Sequence, residues 1–349
     1  MQKTTKSIFW ILTPLAIVKD RMDVSTQLDG ASQLPTLDDL VSAQKTIADV
    51  ACKTPLVMSP SLSRRFGKEI YLKLECFQPI RVFKIRGAYN KVSQINSQEI
   101  VTVSSGNHGL AVAYCSRLLA KECTVILPQN PIPEKVHAIL ETGAKVVKIA
   151  KSSEREERAR QMVRQRGAVY VHPFNDPAVI AGAGTCGLEI AQQLSDFDSV
   201  IVPVGGGGLI SGISIAIKSL KPSAKVFGVE PIAAPKLQAA MNAGKVVNLD
   251  SPRSIADGLI PSSVGDLTLK ACVENVEGVF SASDSQIVRA LKLLIREAYI
   301  FPEPSGAASL APLLSRSNSR ALGKKVVLVI SGGNISLNFL RSLLRSKNR

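Results

Sequence analysis

Phe83-Lys84-Ile85-Arg86-Gly87-Ala88 sets one lysine between apolar neighbours at the start of a helical pattern. A lysine kept from water has a lowered pKa, and its neutral amine can attack a carbonyl. Taken singly the stretch is bland, since most lysines are solvated surface groups. Three more stretches follow in order: Ser104-Ser105-Gly106-Asn107-His108-Gly109, Gly205-Gly206-Gly207-Gly208 and Ser331-Gly332-Gly333-Asn334. Each comes just after a strand-like run. The four glycines lie between a buried-strand pattern at 199–204 and a helical pattern at 209–220. Backbone without side chains, at a helix N-terminus, can hold a phosphate. No Gly-Lys-Ser/Thr follows, so the loop is not a P-loop. The backbone of the Ser104 stretch can hold a carboxylate, although Ser105 or Asn107 could equally cap a helix there. Ser331, ahead of Gly332-Gly333, could likewise cap a helix.

Working outward, strand patterns at 69–75, 101–103, 123–127, 145–149, 169–172, 199–204, 225–230, 278–280 and 325–330 alternate with helical ones. Between 231 and about 268 the pattern is irregular. Regular βα alternation predicts an open, mostly parallel α/β architecture. Gly182-Ala183-Gly184-Thr185-Cys186-Gly187 matches the dinucleotide fingerprint, but that fingerprint must directly follow a strand. Here a helix starting at Asp176-Pro177 intervenes, so dinucleotide binding is not expected.

The 349 residues suit two domains of about 150 residues each. A net charge of +15 would attract small anions or nucleic acid. The charge is dispersed, and the cluster at 151–166 is interleaved with Glu154, Glu156 and Glu157, as on a solvated helix face. No nucleic-acid motif is present, so no nucleic-acid partner is expected. The six cysteines form no Cys-x-x-Cys pair, which predicts free thiols in a reducing compartment. Lys3 and Lys6 precede an apolar run at 7–18, with a targeting segment as the alternative to a plain extension. That run is too short for an ordinary membrane span. A cytoplasmic protein with no membrane association is the expectation.

Together, in this order, the four stretches resemble the fold type II pyridoxal-phosphate enzymes, the serine/threonine dehydratase and serine racemase family. The resemblance covers about residues 36–340 and extends to Thr54-Pro55-Leu56 and Glu303-Pro304-Ser305-Gly306. It implies a tryptophan synthase β-like fold, with pyridoxal 5'-phosphate in a cleft between two α/β domains. The expected layout is an extension at 1–35, a large domain from 36–98 and 176–349, and an inserted small domain at 99–175. By resemblance Lys84 carries the cofactor and Phe83 lies beside it. Gly205, Gly206, Gly207 and Gly208 bind its phosphate, Asn107 bonds its phenolic oxygen, and Ser331 faces its ring nitrogen. Ser104, Ser105, Gly106, Asn107 and His108 would hold the substrate carboxylate. Ser105 stands where the racemases carry a catalytic serine. Glu303 would approach the ring, or be a surface-loop carboxylate.

The implied activity is α,β-elimination of a β-hydroxy amino acid, L-threonine or L-serine first, to a 2-oxo acid and ammonia. The alternatives are serine racemisation, or dehydration of another hydroxy amino acid such as hydroxyaspartate or phenylserine. A non-catalytic pyridoxal-phosphate or nucleic-acid binder is the reading from another class. Family habit implies a homodimer. Two departures stand out. Ile80-Arg81-Val82 replaces the usual Thr-Gly-Ser. Glu230 matches a first ligand of the family's cation site, but Lys236 stands where an acid would complete it, so no metal is expected there.

Overall fold

The computed structural model describes residues 33–104 and 106–345. The apolar run at 7–18 and Ser105 therefore lie outside the described residues. The strands are β1 (Leu56–Met58), β2 (Glu69–Lys73), β3 (Glu99–Val103), β4 (Glu122–Leu127), β5 (Lys145–Lys148), β6 (Val169–Tyr170), β7 (Ser199–Pro203), β8 (Lys225–Pro231), β9 (Gly278–Ala282) and β10 (Lys325–Val329). The larger sheet has the order β1-β2-β10-β7-β8-β9, parallel except for the β1–β2 pair. The smaller sheet, β5-β4-β3-β6, is parallel throughout. Its strands all fall between β2 and β7 in the chain. Every residue of β7 is buried, as its unbroken apolar run requires of a central parallel strand.

The helices are α1 (Leu37–Thr46), α2 (Pro60–Phe66), α3 (Lys84–Val92), α4 (Asn107–Leu118), α5 (Pro133–Leu140), α6 (Ser152–Arg166), α7 (Pro177–Gln193), α8 (Gly208–Leu220), α9 (Lys236–Ala243), α10 (Asp266–Asn275), α11 (Asp284–Ala298), α12 (Pro304–Ala307), α13 (Arg316–Ala321) and α14 (Leu337–Arg345). The expected irregular region thus holds α9 and the start of α10, with the Pro- and Ser-rich segment between them. Apolar cores cover both faces of the large sheet. Two more flank the small one. Among the described residues no helix is long and apolar enough to cross a membrane.

The Gly182–Gly187 fingerprint lies inside α7, whose N-terminus is capped by Asp176 and Pro177. Its glycines serve packing. A Cβ on Gly182 would sit 2.4 Å from the Arg86 carbonyl oxygen of α3, and one on Gly184 2.7 Å from Leu40 of α1. From the other side, a Cβ on Gly212 of α8 would come within 2.4 Å of the Ile180 carbonyl oxygen. Helix α7 is thereby clamped between α3 and α8, the helices that begin at Lys84 and at the glycine loop.

Charge locks the same junction. Arg86 makes a bidentate pair with Glu75, Nε to Oε2 and Nη2 to Oε1, both at 2.8 Å. Its Nη1 reaches Glu189 Oε1 of α7 at 2.7 Å. Lys73 at the end of β2 donates to Glu189 Oε2 at 2.5 Å and to the Thr54 carbonyl at 2.8 Å. All four ionic side chains are buried. Burial alone would raise the Glu75 carboxyl, but Arg86 and Lys73 outweigh it and hold the group below its usual range. Gly182→Ala would force a methyl into the α3–α7 contact, at a cost of about 1–3 kcal/mol. Thermal melts of the variant should fall by several degrees; an unchanged melting temperature would contradict this account of the junction.

Candidate active site

In parallel sheets ligands gather beyond the carboxyl ends of the strands. Here β3 delivers Ser104, β7 delivers the glycine loop at 205–208, and β10 delivers Ser331. The fourth segment arrives by a backbone zipper: Phe83 N–H donates to the Ser331 carbonyl at 3.1 Å, and Gly333 N–H to the Arg81 carbonyl at 2.8 Å. That pairing brings Lys84, first residue of α3, beside Ser331. Lys84, Phe83, Ser104, Gly106, Asn107, His108, the four glycines and Ser331 all line one cavity of about 440 Å³. That size suits a small-molecule ligand.

Lys84 is half-buried. Its Nζ donates to the Pro173 carbonyl at 2.6 Å and lies 5.1 Å from the Phe83 ring centre. Burial lowers its pKa to about 8, so a sizeable fraction of the amine is neutral near physiological pH. His172 fixes the Pro173 segment: its Nδ1 accepts from Phe174 N–H at 3.2 Å and from Asn175 N–H at 2.8 Å. Burial takes its pKa down to about 4, so the ring is neutral. His108 is also kept neutral, by burial and then by Lys84; its Nε2 bonds the Val171 carbonyl at 3.1 Å. The imidazole thus anchors the loop beneath the cavity.

The glycine loop is hemmed in on every side. A Cβ on Gly206 would lie 2.1 Å from the Phe174 ring, and Gly207 takes a φ of +98° against Thr268. Thr268 Oγ1 donates to the Gly206 carbonyl at 2.9 Å. The first N–H groups of α8 have no intrahelical partner and carry its positive dipole end. A bare-backbone cradle facing a half-buried amine fits the pyridoxal phosphate expected from the sequence. The loop suits its phosphate and Lys84 its aldehyde.

Asn107 begins α4, donating from Nδ2 to Glu303 Oε1 at 2.7 Å and accepting at Oδ1 from Asn334 Nδ2 at 3.0 Å. Glu303 is no surface-loop residue: it is buried, and its Oε2 has no partner among the described residues. Burial raises its pKa to about 7, against the opposing pull of Lys135 and Asn107. Nothing in its local sequence signals that burial, which the zipper at 331–333 imposes. Asn334 and Phe174 also contribute: Asn334 ends the Ser331-Gly332-Gly333-Asn334 stretch, whereas Phe174 carries no sequence signal beyond the proline before it. Glu230 and Lys236 pair behind the glycine loop, outside this cavity. The strand expected to reach His172 ends at Tyr170, which frees His172 to cap the following turn.

A second cavity of about 490 Å³ shares Gly106, Asn107, Lys135 and Asp257 with the first and adds Arg81 and Ser336. Lys135 is paired with Asp257.

A family model described as "Pyridoxal-phosphate dependent enzyme" matches residues 47–332. The chain is 39% identical over 314 residues to an L-threonine ammonia-lyase of Thermotoga maritima, covering 88% of this chain and 78% of that protein. It is 34% identical over 319 residues to an L-threo-3-hydroxyaspartate ammonia-lyase of Saccharomyces cerevisiae, covering 90% and 98%. A solved structure of maize serine racemase matches with a TM-score of 0.85 at 35% identity, covering 89% of this chain and 97% of that one.

The lowered pKa of Lys84 makes a linkage prediction for the cofactor-free protein. Between about 8 and the ordinary 10.5 the unfolded chain binds a proton that the folded chain does not. The penalty for burying the ammonium is therefore full below about 8 and fades as pH rises through that window. Lys84→Met should be more stable than wild type at pH 7, with the gap shrinking by pH 10. Urea melts at the two pH values measure it, and a gap independent of pH would count against the buried amine.

Proposed function

Because the chain belongs to the pyridoxal-phosphate dependent enzyme family, we propose that it is an ammonia-lyase, converting a β-hydroxy amino acid to a 2-oxo acid and ammonia. The observation that carries this reading is the half-buried Lys84 amine sharing one cavity with the glycine loop, Ser331 and the 104–108 loop. When bound, pyridoxal phosphate supplies an aldehyde for amine attachment and a conjugated ring that takes up an electron pair.

The residues divide the remaining work. Lys84 holds the cofactor and then, as a neutral amine, takes the substrate α-proton. The glycine loop and the start of α8 hold the phosphate. Ser331 presents a neutral hydroxyl to the ring nitrogen, which leaves that nitrogen's charge untied and suits elimination. Asn107, braced between Glu303 and Asn334, holds the phenolic oxygen. Ser104, Gly106, Asn107 and the backbone at His108 receive the substrate carboxylate. Loss of the α-proton and of the β-hydroxyl as water leaves an enamine, whose hydrolysis yields the 2-oxo acid and ammonia. L-threonine, in line with the Thermotoga relative, and L-serine are the first substrates. Ser105, which would carry racemisation, lies outside the described residues, so that activity rests on the sequence resemblance. A homodimer in the cytoplasm completes the proposal.

One observation favours a second substrate class. Arg81 lines the adjoining cavity with a φ of 58°, a conformation that disfavours a side chain. Strain of this kind persists where it serves a site. Its guanidinium has no ion-pair partner among the described residues, unlike Lys135. A free, exposed arginine beside the substrate loop would bind a second carboxylate, as in a hydroxyaspartate.

Purified protein should show a visible cofactor band and release 2-oxo acid from L-threonine or L-serine; Lys84→Ala should lose both. Oxo-acid production by that variant would sink the mechanism. Arg81→Gly should lose about tenfold to a hundredfold in kcat/KM on 3-hydroxyaspartate, the worth of one charge-assisted bond, and little on serine. Equal losses on both substrates would remove the second reading.

A further inference from the structure

Behind the glycine loop lies a buried cation. Lys236, the first residue of α9, has no solvent exposure, and Glu230 at the end of β8 has 1%. The Lys236 ammonium reaches four oxygens: Glu230 Oε1 and the Leu259 carbonyl at 3.0 Å, and the Val204 and Ala234 carbonyls at 3.1 Å. Glu230 is itself fixed, taking Leu237 N–H at 2.9 Å and Gln238 N–H at 3.1 Å. One carboxylate and three carbonyls around a point charge is the donor set of a hard metal cation.

The oxygens come from segments that meet at the cofactor cavity. Val204 immediately precedes Gly205. Leu259 follows Gly258, whose carbonyl would lie 2.5 Å from a Cβ on Gly205. Asp257 and Gly258 also line that cavity. The ammonium therefore joins the root of the phosphate cradle to the adjoining Asp257–Leu259 turn. A divalent ion does not fit beside it, since the cage is filled by a side chain of the same sign and like charges there would repel.

We propose that Lys236 is a built-in cation that sets the glycine loop for cofactor binding, so that the loop needs no metal ion. Lys236 is a positioning residue: it touches the backbone that holds the phosphate, and acts through it. Removing its side chain would leave an oxygen cage open to a monovalent cation. The link to cofactor binding rests on the reading of the glycine loop as the phosphate site. The link to folding does not, and the two are measured separately.

The test compares wild type, Lys236→Ala and Lys236→Met. Melting of the cofactor-free proteins reports on the cage alone. Wild type should be indifferent to a chelator, to magnesium and to potassium at constant ionic strength. Lys236→Ala should melt lower and recover in potassium or ammonium chloride, but not in tetramethylammonium chloride, which is too large to enter. Lys236→Met, whose apolar chain occupies the cage, should melt lower with no recovery. Titration with pyridoxal phosphate then reports on the loop: Lys236→Ala should bind at least tenfold more weakly, with affinity restored by the same small cations. Destabilisation of wild type by the chelator would overturn the proposal. So would a Lys236→Ala protein that keeps wild-type melting and affinity, or one that no small cation restores. Rescued melting with unchanged cofactor affinity would reject the loop-setting role while leaving the cage in place. Failure of wild type to bind pyridoxal phosphate at all would instead reject the cofactor reading.

Discussion

The buried Arg86 guanidinium, shared between Glu75 and Glu189, is the interaction on which the rest of the architecture depends. Arg86 follows Lys84 by two residues on the same helical turn. Its two carboxylate partners come from the segment after β2 and from α7. Fixing Arg86 therefore fixes the direction of α3 and the depth of the lysine. Buried ion pairs seldom add much net stability over apolar packing, but breaking one strands a charge and costs several kcal/mol. The network is best understood as a device of register. With Lys73 it balances two carboxylates against two cations.

Seen from that junction, the cavity is a meeting of strand ends. The β3, β7 and β10 loops belong to two sheets, yet they face one another because α7 packs closely against both α3 and α8. The glycines of α7 permit that closeness. What resembles a nucleotide fingerprint in the chain is in space a groove for neighbouring helices. Glycine at one site admits a neighbouring helix and at the other lines the cavity with bare backbone, and only position tells them apart.

The electrostatics of the site follow from exclusion of water. Lys84 is lowered, His108 and His172 are neutral, and Glu303 is raised toward neutrality. Burial is the leading cause in every case. The site thereby holds an amine able to accept a proton beside two neutral imidazoles, with Glu303 as a carboxyl that itself exchanges a proton near neutral pH. Two nearby lysines are engaged elsewhere: Lys135 with Asp257, and Lys236 inside its oxygen cage.

Much of this was legible in the chain. The lysine stretch, the Ser104 stretch, the glycine loop and Ser331 each stand at a strand–helix junction, where local pattern and backbone chemistry speak together. Their order was enough to place the fold. The Asp176-Pro177 start signal also identified α7 as a helix and so discounted its fingerprint. Other features had no local signature. The burial of Glu303 and the Val204 and Leu259 sides of the cage around Lys236 depend on residues tens to hundreds of positions away. Alternation of strands and helices records which segments bury a face; it does not record which loops will meet. The sequence by itself determined the alternation, the lysine stretch and the glycine loop at their strand–helix junctions, because those are properties of contiguous residues. Only the tertiary structure decided which charges lose their water and which find a partner, because desolvation and pairing are set by neighbours in space.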